Sequence, residues 1–184
     1  MLWIILIIVV LLILFIISVY NSLVTLRQRV KNAFGQMDVQ LQRRFDLIPN
    51  LVETVKGYMT HESETLAKVT ELRTAWAGAK TVDEKAKLDN ELSNTLKTIM
   101  AVAEAYPDLK ANQNFESLQN ELTETEDKIS YSRQFYNDTV TRYNTKLELF
   151  PSNIVAGMFH FTAESLFEVD SAEARKNVKV DFNK

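Results

Sequence analysis

The stretch Gln40–Tyr58, QLQRRFDLIPNLVETVKGY, decides how this chain folds. It has the apolar spacing of a helix, yet it holds two adjacent arginines, an aspartate and a proline. Around it, Phe34, Met37, Leu41, Phe45, Ile48, Val52, Val55 and Met59 recur at three- and four-residue steps, one face of an α-helix. Leu66, Val69, Leu72 and Trp76 continue that face. Two architectures follow. One helix runs from about Tyr20 to Ala77, on the order of 85 Å long, or it breaks near Pro49 or Gly57 and folds back. Pro49 lacks the N–H that would bond the Phe45 carbonyl, so a kink is expected there.

The same projection sorts the charges. With Leu41, Ile48, Val52 and Val55 inward, Arg44 falls inside the buried face, while Arg43, Asp46 and Asn50 fall opposite. Arg43 and Asp46 are three apart and suited to a surface pair. Arg44 must find an acceptor, because an unpaired buried charge costs several kcal/mol; the carbonyl freed by Pro49 is one option. The structural reading is a kinked core helix with a snorkelling arginine; the functional one is a hinge or partner site.

Beyond Trp76, Gly78 is a stop, and Thr81-Val-Asp-Glu84 reads as a capping box opening a second helix with Leu88, Leu92, Ile99, Val102 and Tyr106 on one side. Tyr106-Pro107-Asp108 breaks it. A third long helix starts near Asn112 or Asn114 and shows Phe115, Leu118, Leu122, Ile129, Tyr136, Val140, Tyr143 and Leu147. Phe150-Pro151-Ser152 ends it, and 153–161 forms a short helix. Glu126 and Arg133 lie on the apolar face of the third helix, a heptad apart; Asn137 and Asn144, in a repeated Tyr-Asn, read as a polar seam. The expected fold is all-α: an antiparallel bundle of three long helices and one short one over 21–161, then an irregular tail, 162–184. KNVKVDF, 176–182, alternates like a strand without a partner. If the first helix is continuous, Glu126 lies nearer Arg73 than Arg44. The stripe Phe34, Met37, Leu41, Phe45 and Ile48 then lacks cover from the second helix. Further copies, a partner, or the segment after Phe150 would have to cover it.

The chain begins with LWIILIIVVLLILFIISV, Leu2–Val19, which carries no charge, glycine or proline. About 18 such residues span roughly 27 Å, enough for one membrane crossing. Trp3 and Tyr20 flank it as interface anchors. A signal peptide would need a basic start, a shorter apolar core and a small-residue cleavage site. Arg27, Arg29 and Lys31 follow the span, which places the large C-terminal part in the cytoplasm and the N-terminus outside. Residues 27–57 carry six Lys/Arg against three Asp/Glu, while 58–184 carry fifteen against twenty-one. The basic membrane-proximal part suits anionic headgroups, and so acidic a distal part argues against nucleic acid.

No reaction is announced. There is no cysteine and there are two histidines. His61-Glu62 is half of a zinc motif whose second histidine is missing, since position 65 is threonine; a zinc site needs at least three protein ligands. His160 sits in Met-Phe-His-Phe and suits packing or membrane-surface contact. The acidic run ELTETED, 121–127, reads as a solvated face. Four glycines, none in a phosphate-binding setting, exclude the usual nucleotide loops. No cofactor and no small-molecule substrate is implied.

YNSLVTLRQRV, then DVQLQRRFDLIPNLVETVKGYMTHE, then YPDLKANQNFESLQNELTETEDKISYSRQFYNDTVTRYN, then FPSNIVA and LFEV follow one another behind the span. In this order they resemble the LemA family of bacterial membrane-anchored proteins. The resemblance implies a helical bundle on one anchor in a bacterial inner (cytoplasmic) membrane, and supplies no enzymatic reaction, cofactor or substrate. The expected function is a non-catalytic, membrane-anchored scaffold that self-associates or binds other membrane proteins. A sensor input module is the second reading. An unfamiliar enzyme using Arg44 with Glu126 or Glu124 is the third.

Overall fold

The computed structural model describes residues 1–58 and 63–168, and among these the chain is helical with no strand. Helix α1 spans Leu2–Asp46, α2 Ile48–Lys56, α3 Ser63–Gly78, α4 Val82–Ala103, α5 Pro107–Lys110, α6 Gln113–Glu148 and α7 Ser152–Met158. His61 and the segment 176–182 lie outside the described residues.

The all-α architecture holds, but the long first arm does not. The helical ladder is interrupted at Leu47, whose N–H bonds the carbonyls of Arg43 at 3.2 Å and Arg44 at 3.3 Å, and α2 begins with Pro49 in its first turn. A proline is tolerated there because its missing donor would be unpaired anyway. Helix α3, from Ser63, has the opposite direction to α2. Near the end of α3, Trp76 stacks on Phe45 with ring centroids 4.3 Å apart, and its Nε1 donates to Gln42 Oε1 at 2.9 Å. So α3 runs back beside α2 and the end of α1. Helix α4 climbs again, from Lys85, ion-paired with Asp38, toward α5. Helix α6 descends, starting from Asn112, whose Nδ2 donates to Tyr58 Oη at 3.0 Å. The result is an up-down-up-down bundle.

The termini of these arms are written locally. Thr81 and Glu84 form the capping box that starts α4, and the Asn112 side chain accepts from the N–H groups of Asn114 and Phe115 to start α6. α6 is the longest partner of α1. Arg44 meets Glu126, and the Phe34 ring meets Tyr136 at 5.7 Å, which fixes an antiparallel register between the two helices.

That register corrects two expectations. Met37, Leu41, Phe45 and Ile48 are fully buried and Phe34 is packed against the same core, so the stripe is covered by its own chain. Arg73 is exposed on α3 and lines a surface cleft with Pro49 and Glu53, whereas Glu126 pairs with Arg44. The cause is the reversal from α2 to α3. It brings α4 and α6 down over the stripe, and it removes Arg73 from the axial position that a straight rod would have given it.

Candidate functional site

Arg44 lies at the centre of the bundle, 4% exposed. Its Nη1 donates to Asp89 Oδ1 at 2.7 Å and to Ser93 Oγ at 2.9 Å, both on α4. Glu126 Oε2 of α6 lies 2.8 Å from the same nitrogen, an ionic contact off the line of a hydrogen bond. Arg44 Nε is buried without a hydrogen-bond partner. Three arms of the bundle are thus joined through one guanidinium nitrogen, with charge-assisted contacts. Asp89 is pushed above the usual carboxylate range, chiefly by burial; Arg44 opposes that shift, Glu126 adds to it and Arg133 opposes it.

Of the residues singled out by the sequence, Arg44 and Glu126 come together, Arg133 acts on Asp89 through its charge, and Arg73 is not part of the cluster. The carbonyl freed by Pro49 is not the acceptor; the Asp89 carboxylate and the Ser93 hydroxyl are, with Glu126 as a further ionic contact. Arg43 is exposed, and Asp46 accepts from Gln42 Nε2 at 2.8 Å rather than from Arg43. Asp89 and Ser93 were missed. The signal was present: Ala86, Asp89, Leu92, Leu96 and Ile99 follow helical steps and are all buried, a face rotated from the one built on Leu88. A cleft of about 370 Å³ opens between α4 and α6 beside this cluster, lined by Arg44, Ser93, Met100, Gln119 and Glu126 among others.

The repeated Tyr-Asn of α6 has a different role from a polar seam. Residues 161–168 run extended and antiparallel to α6. Tyr143 Oη donates to the Thr162 carbonyl at 3.0 Å, and Tyr136 Oη donates to the Ser165 carbonyl at 2.7 Å. Asn144 holds Glu164 through both backbone groups, at 2.9 and 3.0 Å, and Asn137 holds Phe167 likewise, at 3.2 and 2.9 Å. The spacing is physical. Seven helical residues advance about 10.5 Å, and three extended residues about 10 Å, so a heptad repeat matches every third residue of a strand. Every one of these bonds is to backbone. Sequence enters through Phe167, 1% exposed, which fills the core. Asn90 Nδ2 of α4 donates to the Glu168 carbonyl at 3.3 Å, so the segment straps α4 to α6.

At the other end, α1 is continuous from the apolar span into the core. Leu2–Phe15 stands exposed along its whole length, while Val19, Leu23, Val30, Ala33 and Met37 are buried in the bundle. By length and composition this helix suffices to cross a membrane. Among the described residues no group of three or more His, Asp and Glu is arranged to hold a metal ion.

The LemA family model matches residues 33–182. Protein LemA of Metamycoplasma hominis is 26% identical over 157 residues, which cover 83% of this chain and 70% of that protein. Magnetosome protein MamQ 2 of Paramagnetospirillum magneticum is 25% identical over 175 residues, 81% of this chain and 64% of the relative. Magnetosome protein MamQ of Magnetospirillum gryphiswaldense is 21% identical over 174 residues, 80% of this chain and 64% of the relative. The chain therefore spans less than two thirds of the length of these MamQ relatives. The family match takes in the last third of α1 with its buried arginine and every later helix of the bundle; this chain belongs to the LemA family.

Proposed function

We propose that this protein is a non-catalytic scaffold of a bacterial cytoplasmic membrane, anchored by Leu2–Val19, with its bundle on the cytoplasmic side and an outer face that self-associates. The observation that carries the reading is the continuity of α1. One unbroken helix serves as an apolar span and, from Val19 onward, as a core arm, so the bundle is mechanically fixed to the membrane. Arg27, Arg29 and Lys31, directly after the span, support the orientation.

With the α1 stripe buried, assembly needs another surface. Val39, Tyr131 and Phe135 are exposed large apolar side chains on the sides of α1 and α6. The α1–α6 register puts Val39 level with Tyr131. Exposed aromatic side chains of this kind are favoured at protein interfaces. The names of the MamQ relatives tie those proteins to the magnetosome, and a structural role in a membrane assembly is in keeping with that.

The mass of the protein in a mild detergent tests the proposal. The expected result is several copies per particle for the wild type and one for Tyr131→Glu with Phe135→Glu. A monomeric wild type would overturn self-assembly. A sensor reading has one observation in its favour, the cleft beside Arg44; it requires a ligand that shifts the melting temperature of the wild type and not of a variant with Gln119→Trp filling the cleft.

A further inference from the structure

Helix α7 folds back against the end of the apolar span. Val155 and Ala156 are buried against Val19 and Leu23, and Ile16 packs on the same cluster. The rings of Phe159 and Phe161 stand on Tyr20, with centroids at 4.8 and 5.7 Å. The level of α7 is therefore set by Ile16–Leu23. At about 1.5 Å per residue, that runs from roughly 5 Å inside the end of the span to roughly 6 Å beyond it.

The outer face of this corner is apolar and open. Phe150 is 79% exposed, Ile154 55% and Met158 59%. Residues 149–163 include no Asp, Glu, Lys or Arg. Charges border the stretch instead: Lys146, Glu148 and Glu164 by sequence, and Arg27, whose guanidinium lies 5.0 Å from the Phe161 ring. Among the described residues the chain leaves this face open. After Phe161 it climbs α6 past Asn144 to Asn137, away from the span.

An apolar, uncharged face beside the end of a membrane span is what an interfacial element presents to lipid. We infer that the α6–α7 corner is a second membrane contact. Phe150, Ile154 and Met158 insert into the headgroup–acyl boundary of the leaflet that faces the bundle. The span alone leaves the bundle free to tilt and to rotate about α1; a foot displaced to one side fixes both. The inference rests on the membrane reading of α1, and the test separates the two.

The chain has no native cysteine, so single labels are available in the full-length protein. Ile154→Cys and Phe150→Cys, each carrying an environment-sensitive fluorophore, are reconstituted in phosphatidylcholine–phosphatidylglycerol vesicles containing lipids with a nitroxide on a shallow acyl carbon. Val10→Cys reports the span and Tyr131→Cys the distal bundle. The expected result is quenching at positions 150 and 154 at least ~3-fold above that at 131, because an interfacial face sits some 5–10 Å into the boundary. Quenching at position 10 with none at 150 and 154 overturns the foot and leaves the anchor standing. Blue-shifted emission at 150 and 154 without lipid quenching also overturns it, since protein and not lipid then covers the face. No quenching at any position overturns the anchor and the foot together.

Discussion

Asn137 of α6 holds Phe167 by both halves of its peptide backbone. The side-chain Nδ2 donates to the Phe167 carbonyl at 3.2 Å, and Oδ1 accepts from the Phe167 N–H at 2.9 Å. One heptad later, Asn144 does the same for Glu164. A side-chain amide is the one uncharged group that offers donor and acceptor in the geometry of a neighbouring strand. The extended segment is thus paired along a helix as it would be along a sheet edge, which satisfies backbone groups that a packed position would otherwise strand.

Asn137→Ala removes two such bonds and leaves the Phe167 backbone to find water in a half-closed groove. The expected cost is about 1–3 kcal/mol of stability. Asn144→Ala is expected to behave alike. Hydrogen exchange is the discriminating measurement: the Phe167 amide becomes fast in Asn137→Ala, while amides in the middle of α6 keep their protection relative to global unfolding. Uniform loss of protection across α6 would show that the strap is part of the cooperative core instead of an added layer.

The Tyr136 hydroxyl, donating to Ser165, makes a pH-dependent contribution. Burial raises its pKa from 10.0 to about 12. The folded state therefore keeps the proton longer than the unfolded chain. Stability from this group is complete below about pH 10 and is lost as pH rises toward about 12. Tyr136→Phe removes the ionisation. The stability difference between wild type and variant is expected to be flat at neutral pH and to shrink above pH 10. Ultraviolet titration checks the origin: the late tyrosinate component is expected to be diminished in the variant, and an unchanged curve would reject the assignment.

Helix existence and helix ends were legible in the residues, because caps and prolines act locally. Thr81–Glu84, Asn112 and Pro151 mark ends that the structure places within a residue or two. The burial of Arg44 was legible too, since a helical projection needs no knowledge of the rest of the fold. Its partner was not. Asp89 lies 45 residues away on an arm whose position depends on where the chain reverses. The apolar period of Gln40–Trp76 runs through that reversal with little change of phase, so periodicity alone cannot separate one long helix from a hairpin. The strap was hidden for another reason: it binds through backbone groups, which leave no side-chain pattern in 161–168, and its only trace was the Tyr-Asn repeat in α6.

The reversal itself is open to a distance measurement. Asp46 and Ala77 are both exposed, and the Phe45–Trp76 stack puts them at one level of the bundle. A straight helix through both would hold them about 46 Å apart. Spin labels on Asp46→Cys and Ala77→Cys are expected to report a separation about half of that or less. Pro49→Ala is expected to leave the distance short, because the proline sits in the first turn of α2 and the direction changes only from α2 to α3. A long distance in Pro49→Ala would assign the reversal to the proline.

Arg44 gives the largest expected single-residue effect. Arg44→Ala leaves Asp89 buried without its cation and Glu126 without its ionic partner, at a cost of about 3–5 kcal/mol. Arg43→Ala, one position away and exposed, is expected to stay within about 0.5 kcal/mol of wild type. Urea unfolding of the two variants measures the difference. The pair Arg44→Met with Asp89→Leu sharpens the question, because it removes cation and buried carboxylate together and fills the space with apolar atoms. Such exchanges are often neutral or stabilising by about 1–4 kcal/mol. Recovery of stability with intact assembly would mean that the charges contribute little beyond mutual compensation. Recovery of stability with a changed particle mass would mean that the single guanidinium sets the register of α1, α4 and α6, on which the level of Val39 and Tyr131 depends. If Arg43→Ala and Arg44→Ala unfolded at the same urea concentration, the central position of Arg44 would be wrong.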